Sequence, residues 1–146
     1  MTLSGPELGL VIRYSYLWHS EHLEGREEGQ KDRPCAVVAT VRKHDARGLR
    51  VLVLPITHRE PADPSAAMEI PPIVKQRLGL DDERSWVVLS EWNDFVWPGP
   101  DLRPVPGSNP ATIAHGFLPP RFFTTVRDRF LALAQRGKAR QVARTE

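Results

Sequence analysis

Pro34-Cys-Ala-Val-Val-Ala-Thr-Val41 and Leu49-Arg-Val-Leu-Val-Leu-Pro-Ile-Thr57, with a polar turn between them, decide the fold class. Cys35–Val41 is almost continuously apolar, the pattern of a strand covered on both faces. Leu49–Thr57 is again mostly apolar and reads as the next strand. Between them Lys43 to Gly48 is a polar turn, with Gly48 able to take a positive φ. Pro55 has no N–H to give to a ladder, so it marks an edge, a bulge or the end of pairing.

Upstream, Leu10 to Trp18 has a period of two, which puts Ile12, Tyr14, Tyr16 and Trp18 on one face of a strand. His19 to Arg33 then carries a single aliphatic residue, Leu23, among glycines and charges, and reads as a long exposed loop. Loops of that length inside compact domains are often functional. Downstream, a short extended piece is expected around Ala67 to Ile70. Pro71-Pro72 opens a short helix that Gly79 closes. Ser85 to Glu91 reads as a strand that Phe95–Trp97 continues after a kink at Asn93-Asp94. Pro98 to Pro110 holds five prolines, which is loop composition. A last helix runs from Pro119-Pro120 to about Arg136, with Phe122, Val126, Phe130 and Leu133 as its apolar stripe.

Strands that follow one another without intervening helices call for antiparallel pairing. The expected fold is mainly β (α+β): a small, strongly bent antiparallel barrel or sheet with a short middle helix and a C-terminal helix. Residues 1–137 form one domain in this reading, and 138–146 a mobile basic tail.

Composition bounds the function. The chain has 146 residues, 40% hydrophobic and 26% charged, which is ordinary globular composition. No stretch approaches the ~18 apolar residues of a membrane span. The first residues lack a secretory pattern, so the default address is cytoplasmic. Cys35 is the single cysteine, which excludes an internal disulfide and a cysteine-built zinc site. The formal net charge is only +2. It conceals a C-terminal block, residues 121–146, with 7 basic and 2 acidic side chains, after a middle block, 61–120, with 4 and 8. Such asymmetry is compatible with a polyanionic partner and also with a plain solvated face.

Phosphate-binding glycine loops, dinucleotide fingerprints and HExxH are all absent. Arg33 closes the long loop, and Pro34 biases it toward extended backbone at the entrance of a strand. A guanidinium so placed can clamp a phosphate bidentately, and its ordinary alternative is a salt bridge within the loop. Thr57 ends the next strand, beside His58 and Arg59. Its hydroxyl can donate to a phosphate oxygen or simply close a turn. Cys35 reads as a small core residue.

The succession Gly-Gln-Lys31-Asp-Arg33-Pro34-Cys-Ala-Val-Val, then Val51-Leu-Val-Leu-Pro55-Ile56-Thr57-His58, then Trp86-Val-Val-Leu-Ser-Glu91 resembles the PemK/MazF toxins of bacterial toxin–antitoxin systems. The resemblance covers residues 9–97. It implies a small homodimeric barrel that cuts single-stranded RNA through the ribose 2′-hydroxyl, without metal or other cofactor, and is inhibited by a cognate antitoxin protein. By that resemblance Arg33 stabilises the transition state, alone or together with donating a proton, and Thr57 bonds the scissile phosphate. Glu91 acts as base or orients Arg33, and His58 shares the proton work. Trp18, His19, Lys31, Arg59 and Trp92 are the accompanying substrate-binding candidates.

Some members carry an arginine two positions before the acidic residue, where this chain has Leu89. The first loop is acidic, with Glu21, Glu24, Glu27 and Glu28. Two other readings therefore stand beside the first. One is a non-catalytic module on the same fold that binds protein or nucleic acid. The other is a metal-dependent hydrolase built on His19, His22 and carboxylates.

Overall fold

In the computed structural model, residues 5–23, 25, 31–42 and 48–144 are described. The acidic residues Glu24, Glu27 and Glu28 and the turn residues 43–47 lie outside them. The two apolar runs form β2 (Arg33–Arg42) and β3 (Leu49–Thr57), paired antiparallel with Cys35 opposite Pro55 and Arg42 opposite Leu49. β1 (Leu10–Tyr14) pairs antiparallel with the other edge of β2. Alternation then sorts the side chains. Ile12, Tyr14, Cys35, Val37, Val51 and Val53 join one buried cluster, and Val11, Ala36, Val38, Leu54 and Ile56 join another on the opposite face. These three strands are therefore covered on both sides, as their apolar runs require.

β3 is shared between two further partners. Arg50–Val53 pair with β6 (Glu91–Val96), while Ile56 and Thr57 pair with β5 (Trp86–Val88). Pro55 falls between the two stretches, where the chain changes neighbour. β4 (Ala67–Glu69) adds to β5, and β7 (Ala114–Phe117) adds to β1. The whole is an α+β fold, a mostly antiparallel eight-stranded sheet among the described residues that does not close into a barrel.

Three α-helices accompany it among the described residues. α1 (His19–Leu23) occupies the start of the segment expected to be an open loop. α2 (Pro72–Arg77) begins on proline, and Gly79 beyond it takes φ +67. α3 (Pro120–Gln135) lays Phe123, Val126 and Phe130 on the cluster containing Val11 and Leu54. Phe123, rather than the expected Phe122, is the buried phenylalanine of the first turn, and Phe122 is half-buried.

Two local expectations are overturned, and one strand stands where none is expected. Asn93-Asp94 is not a kink but the middle of β6, and the break falls at Leu89-Ser90 instead. Both polar residues are tolerated in a buried strand because they are bonded. The Asn93 amide pairs with the N–H and carbonyl of Leu17, and Asp94 accepts from Arg50 Nε and Gln141 Nε2, each at 2.6 Å. β7 emerges from a stretch too short and too glycine-rich to signal a strand. Finally, the expected mobile tail is a strand, β8 (Arg140–Ala143), parallel to β6 and with Val142 fully buried.

Among the described residues, no helix is long and apolar enough to cross a membrane. The turn after β6 depends on Gly99, at φ +62, where an added Cβ would stand 3.0 Å from both Val96 O and Phe95 Cδ2. Gly99→Ala should therefore cost at least about 1–2 kcal/mol, read as a lower urea midpoint, because a side chain is strained in this backbone region even without the contacts.

Candidate functional site

One cleft of about 810 Å³ opens where the start of β2 meets the end of β3. Arg33 comes from the first residue of β2, and Thr57 from the last residue of β3. Lys31 and Trp18 flank Arg33, and His58 and Arg59 follow Thr57, all in the same lining. β1 contributes Arg13, β7 His115, and the segment after α2 contributes Asp81. Six of the nine residues singled out from sequence thus meet at one surface: Trp18, Lys31, Arg33, Thr57, His58 and Arg59.

Arg33 is half-buried, with its Cζ 4.8 Å from the centre of the Trp18 ring. That cation–π contact fixes the guanidinium plane without using up its hydrogens. Its Nε is buried with no hydrogen-bond partner. Among the described residues, no carboxylate forms an ion pair with Arg13, Lys31, Arg33 or Arg59. The lining carboxylates are engaged elsewhere: Asp32 by Arg103 at 3.7 Å, and Asp81 by buried Lys75 at 2.6 Å. Four cations therefore line the cleft with no carboxylate paired to them among the described residues, electrostatics suited to an anion.

Of the two roles open to Thr57, the structure shows the turn. Its Oγ1 accepts from Arg59 N at 3.1 Å, which closes the turn. A hydroxyl that accepts in this way still has its own hydrogen to donate into the cleft. His58 is differently disposed. Nε2 lies 2.7 Å from Asp81 Oδ2, and Nδ1 lies 3.7 Å from Glu83 Oε2, so both ring nitrogens face carboxylates. These three exposed groups are close enough together to hold a cation, but the Lys75 ammonium already occupies one side of Asp81.

Glu91, His19 and Trp92 are not part of the lining. Glu91 stands at the start of β6, where its Oε1 accepts from Tyr16 Oη at 3.1 Å and from the His19 backbone N–H at 2.9 Å. It ties together Tyr16 and His19, on either side of the Trp18 that stacks with Arg33. Trp92 turns the other way, its ring edge-on to Phe130 of α3 at 5.2 Å. His19 keeps a buried Nδ1 without a partner, away from the cleft. Leu89, the departure noted in the sequence, is fully buried in the core beneath α3. Cys35 is also core, and burial pushes its thiol well above the ordinary range, which makes it inert as a nucleophile.

Burial raises the carboxyl of Glu91 above its ordinary value, against its hydrogen bonds from His19 and Tyr16. A folded-state value above the unfolded one means the native state holds its proton longer. Its contribution is then fully present below the ordinary carboxylate range and lost as pH rises through the raised value. Glu91→Gln keeps the acceptor oxygen and removes the titration. The variant's stability relative to the native protein should therefore increase with pH across that window, as followed by urea unfolding at several pH values.

Two contributions to the cleft escape sequence reading. Arg13 is one polar residue in an alternating strand, and only the pairing of β1 with β2 brings it beside Arg33. His115 sits in an unrecognised strand, and its one signal was the adjacent Gly116 in an apolar-polar alternation. Protein-family models, curated proteins and solved structures contain no match to this chain.

Proposed function

We propose that this chain is a metal-independent endoribonuclease of the PemK/MazF toxin kind, acting on single-stranded RNA and restrained by a separate antitoxin protein. The observation that carries the reading is the meeting of Arg33 and Thr57, 24 positions apart in the chain, in one cationic cleft. Cleavage by a neighbouring 2′-hydroxyl passes through a phosphorane with extra charge on its non-bridging oxygens. A guanidinium held by a ring stack, and a hydroxyl with a free hydrogen, are suited to stabilise that charge. Arg13, Lys31 and Arg59 are suited to holding the flanking phosphodiesters, which predicts salt-sensitive binding. A flexible strand is the natural substrate, because in-line attack needs a sugar free to leave A-form geometry.

The test is incubation of the purified protein with single-stranded RNA in EDTA. Fragments ending in 2′,3′-cyclic phosphate, formed by the native protein and lost in Arg33→Ala, are the expected result. Thr57→Val should slow cleavage about tenfold while retaining RNA binding, because one hydrogen bond to a charged group is lost. Intact RNA recovered from a stable complex would instead favour the non-catalytic binding module. Homodimerisation belongs to the same proposal and is read by sedimentation equilibrium. Antitoxin control is read by rescue of growth when the neighbouring reading frame is co-expressed.

A further inference from the structure

β7 carries one residue more than its partner. Val11 of β1 faces Gly116, and the next residue, Ile12, faces Ala114, so His115 has no opposite number in the ladder. A bulge of this kind bends the strand and re-aims the extra side chain. Gly116 supports it at φ +135, and an added Cβ there would stand 3.2 Å from Leu78 Cδ2. The imidazole so presented lines the same cleft as Arg33 and Thr57.

Attack by a 2′-hydroxyl needs a proton acceptor, and among the described residues the other candidates lie outside the cleft or face charged partners. Glu91 lies outside the cleft, both nitrogens of His58 face carboxylates, and Asp32 and Asp81 are paired with Arg103 and Lys75. His115 differs from all of them. Its Nε2 is buried without a hydrogen-bond partner, and among the described residues no carboxylate is paired with its ring. Burial, and then the charge of Arg13, hold it below the ordinary histidine value, against a smaller opposing pull from the Leu78 carbonyl. The neutral ring, which keeps a lone pair, is thus favoured over the charged one. The charged groups sharing its surroundings are Arg13 on β1, Arg33 on β2 and Asp81 after α2.

We propose that His115 is the general base of this cleft and, once its ring turns to bring the buried Nε2 to the cleft surface, takes the proton of the ribose 2′-hydroxyl. The inference rests on the cleft being a site of RNA cleavage. As the proton passes to the imidazole, the 2′-oxygen forms its bond to phosphorus. The P–O5′ bond breaks with its electron pair on the 5′ oxygen, which takes a proton from water. His115 then returns its proton to the hydroxide formed, so the transesterification consumes no water. Arg33 and Thr57 hold the phosphorane oxygens meanwhile.

Single-turnover and steady-state cleavage in EDTA, between about pH 5 and 8, should be compared for the native protein, His115→Gln, His115→Asn and Arg33→Ala. Because the base must be unprotonated, native activity should rise through the lowered pKa of His115 and level off above it. Both His115 variants should lose about a hundredfold or more in kcat, with KM unchanged, and lose that acid limb. The His115 ring of the native protein, titrated by NMR, should show the same pKa as the limb. A folded His115 variant that keeps the native rate and acid limb while Arg33→Ala is impaired overturns His115 and leaves the cleavage reading intact. So does a ring pKa that differs from the limb, which needs no variant at all. A native protein that cleaves no RNA overturns both together.

Discussion

Replacing Arg33 by alanine should lower RNA cleavage about a thousandfold while leaving the thermal unfolding curve close to native. The size follows from the position of the guanidinium. It is half-buried, stacked 4.8 Å from the Trp18 ring centre, and among the described residues it neutralises no carboxylate. Little folded-state energy therefore depends on it, whereas in the proposed reaction the charge developing on the phosphorane oxygens would depend on it heavily. Arg33→Lys should recover little of the loss, because an ammonium has neither the planar fork nor the stacking surface. Trp18→Ala should weaken kcat less than Arg33→Ala does, since it frees the guanidinium without removing it. Gel-based single-turnover rates with saturating protein separate these effects from binding. A rate for Arg33→Ala within tenfold of native would remove Arg33 from the chemistry.

Arg144→Ala should be the most destabilising change outside the apolar core, by about 3–5 kcal/mol. The Arg144 side chain is 1% exposed and Asp101 only 7%, with Nη2 3.0 Å from the carboxylate. Nη1 also donates to the Ser15 carbonyl and to Asn93 Oδ1, and the guanidinium carbon lies 5.4 Å from the centre of the Tyr14 ring. Truncation leaves the buried carboxylate of Asp101 without this cation and the acceptors on Ser15 and Asn93 without this donor. The double change Arg144→Met with Asp101→Leu should be milder than Arg144→Ala, because no charge is then stranded. Urea midpoints at neutral pH measure both. A loss below about 1 kcal/mol for the single change, the range of exposed pairs, would mean that the tail is not docked in solution.

The effect reaches the cleft. Asn93 holds the Leu17 backbone, Glu91 holds the His19 N–H, and between them stands Trp18, the support of Arg33. Arg144 bonds to Asn93 and so braces that corner from behind. Arg144→Ala should therefore also reduce cleavage at temperatures where the variant remains folded.

How far the sequence could be read depends on how local each cause is. β3 is legible to the residue, Leu49–Thr57, because an apolar run bounded by a turn and a proline needs no partner to declare itself. α3 is legible too, since a helix closes its hydrogen bonds within its own segment and a 3.6-residue stripe shows which side is buried. β7 and β8 are four residues each, and their sequences, Ala-His-Gly-Phe and Arg-Gln-Val-Ala, carry almost no strand signal. They exist because β1 and β6 offer unpaired edges to them. The same distinction applies to Asn93-Asp94. By propensity these residues break a strand, and only distant partners, Leu17, Arg50 and Gln141, make them fit inside one.

The sequence by itself determined the antiparallel α+β class, the ends of β3, the last helix, and the places of Arg-Pro at a strand entrance and Pro-Ile-Thr at a strand end. These are consequences of period, proline chemistry and apolar runs, all written within a few residues. Only the tertiary structure decided which polar residues share a surface. It turned Glu91 and Trp92 away from the cleft, paired His58 Nε2 with Asp81, and brought Arg13 and His115 in from strands whose sequences did not announce them. The physical reason is that a side chain's role depends on what its strand pairs with and on the register of that pairing. A single extra residue in β7 is enough to swing an imidazole to the other face.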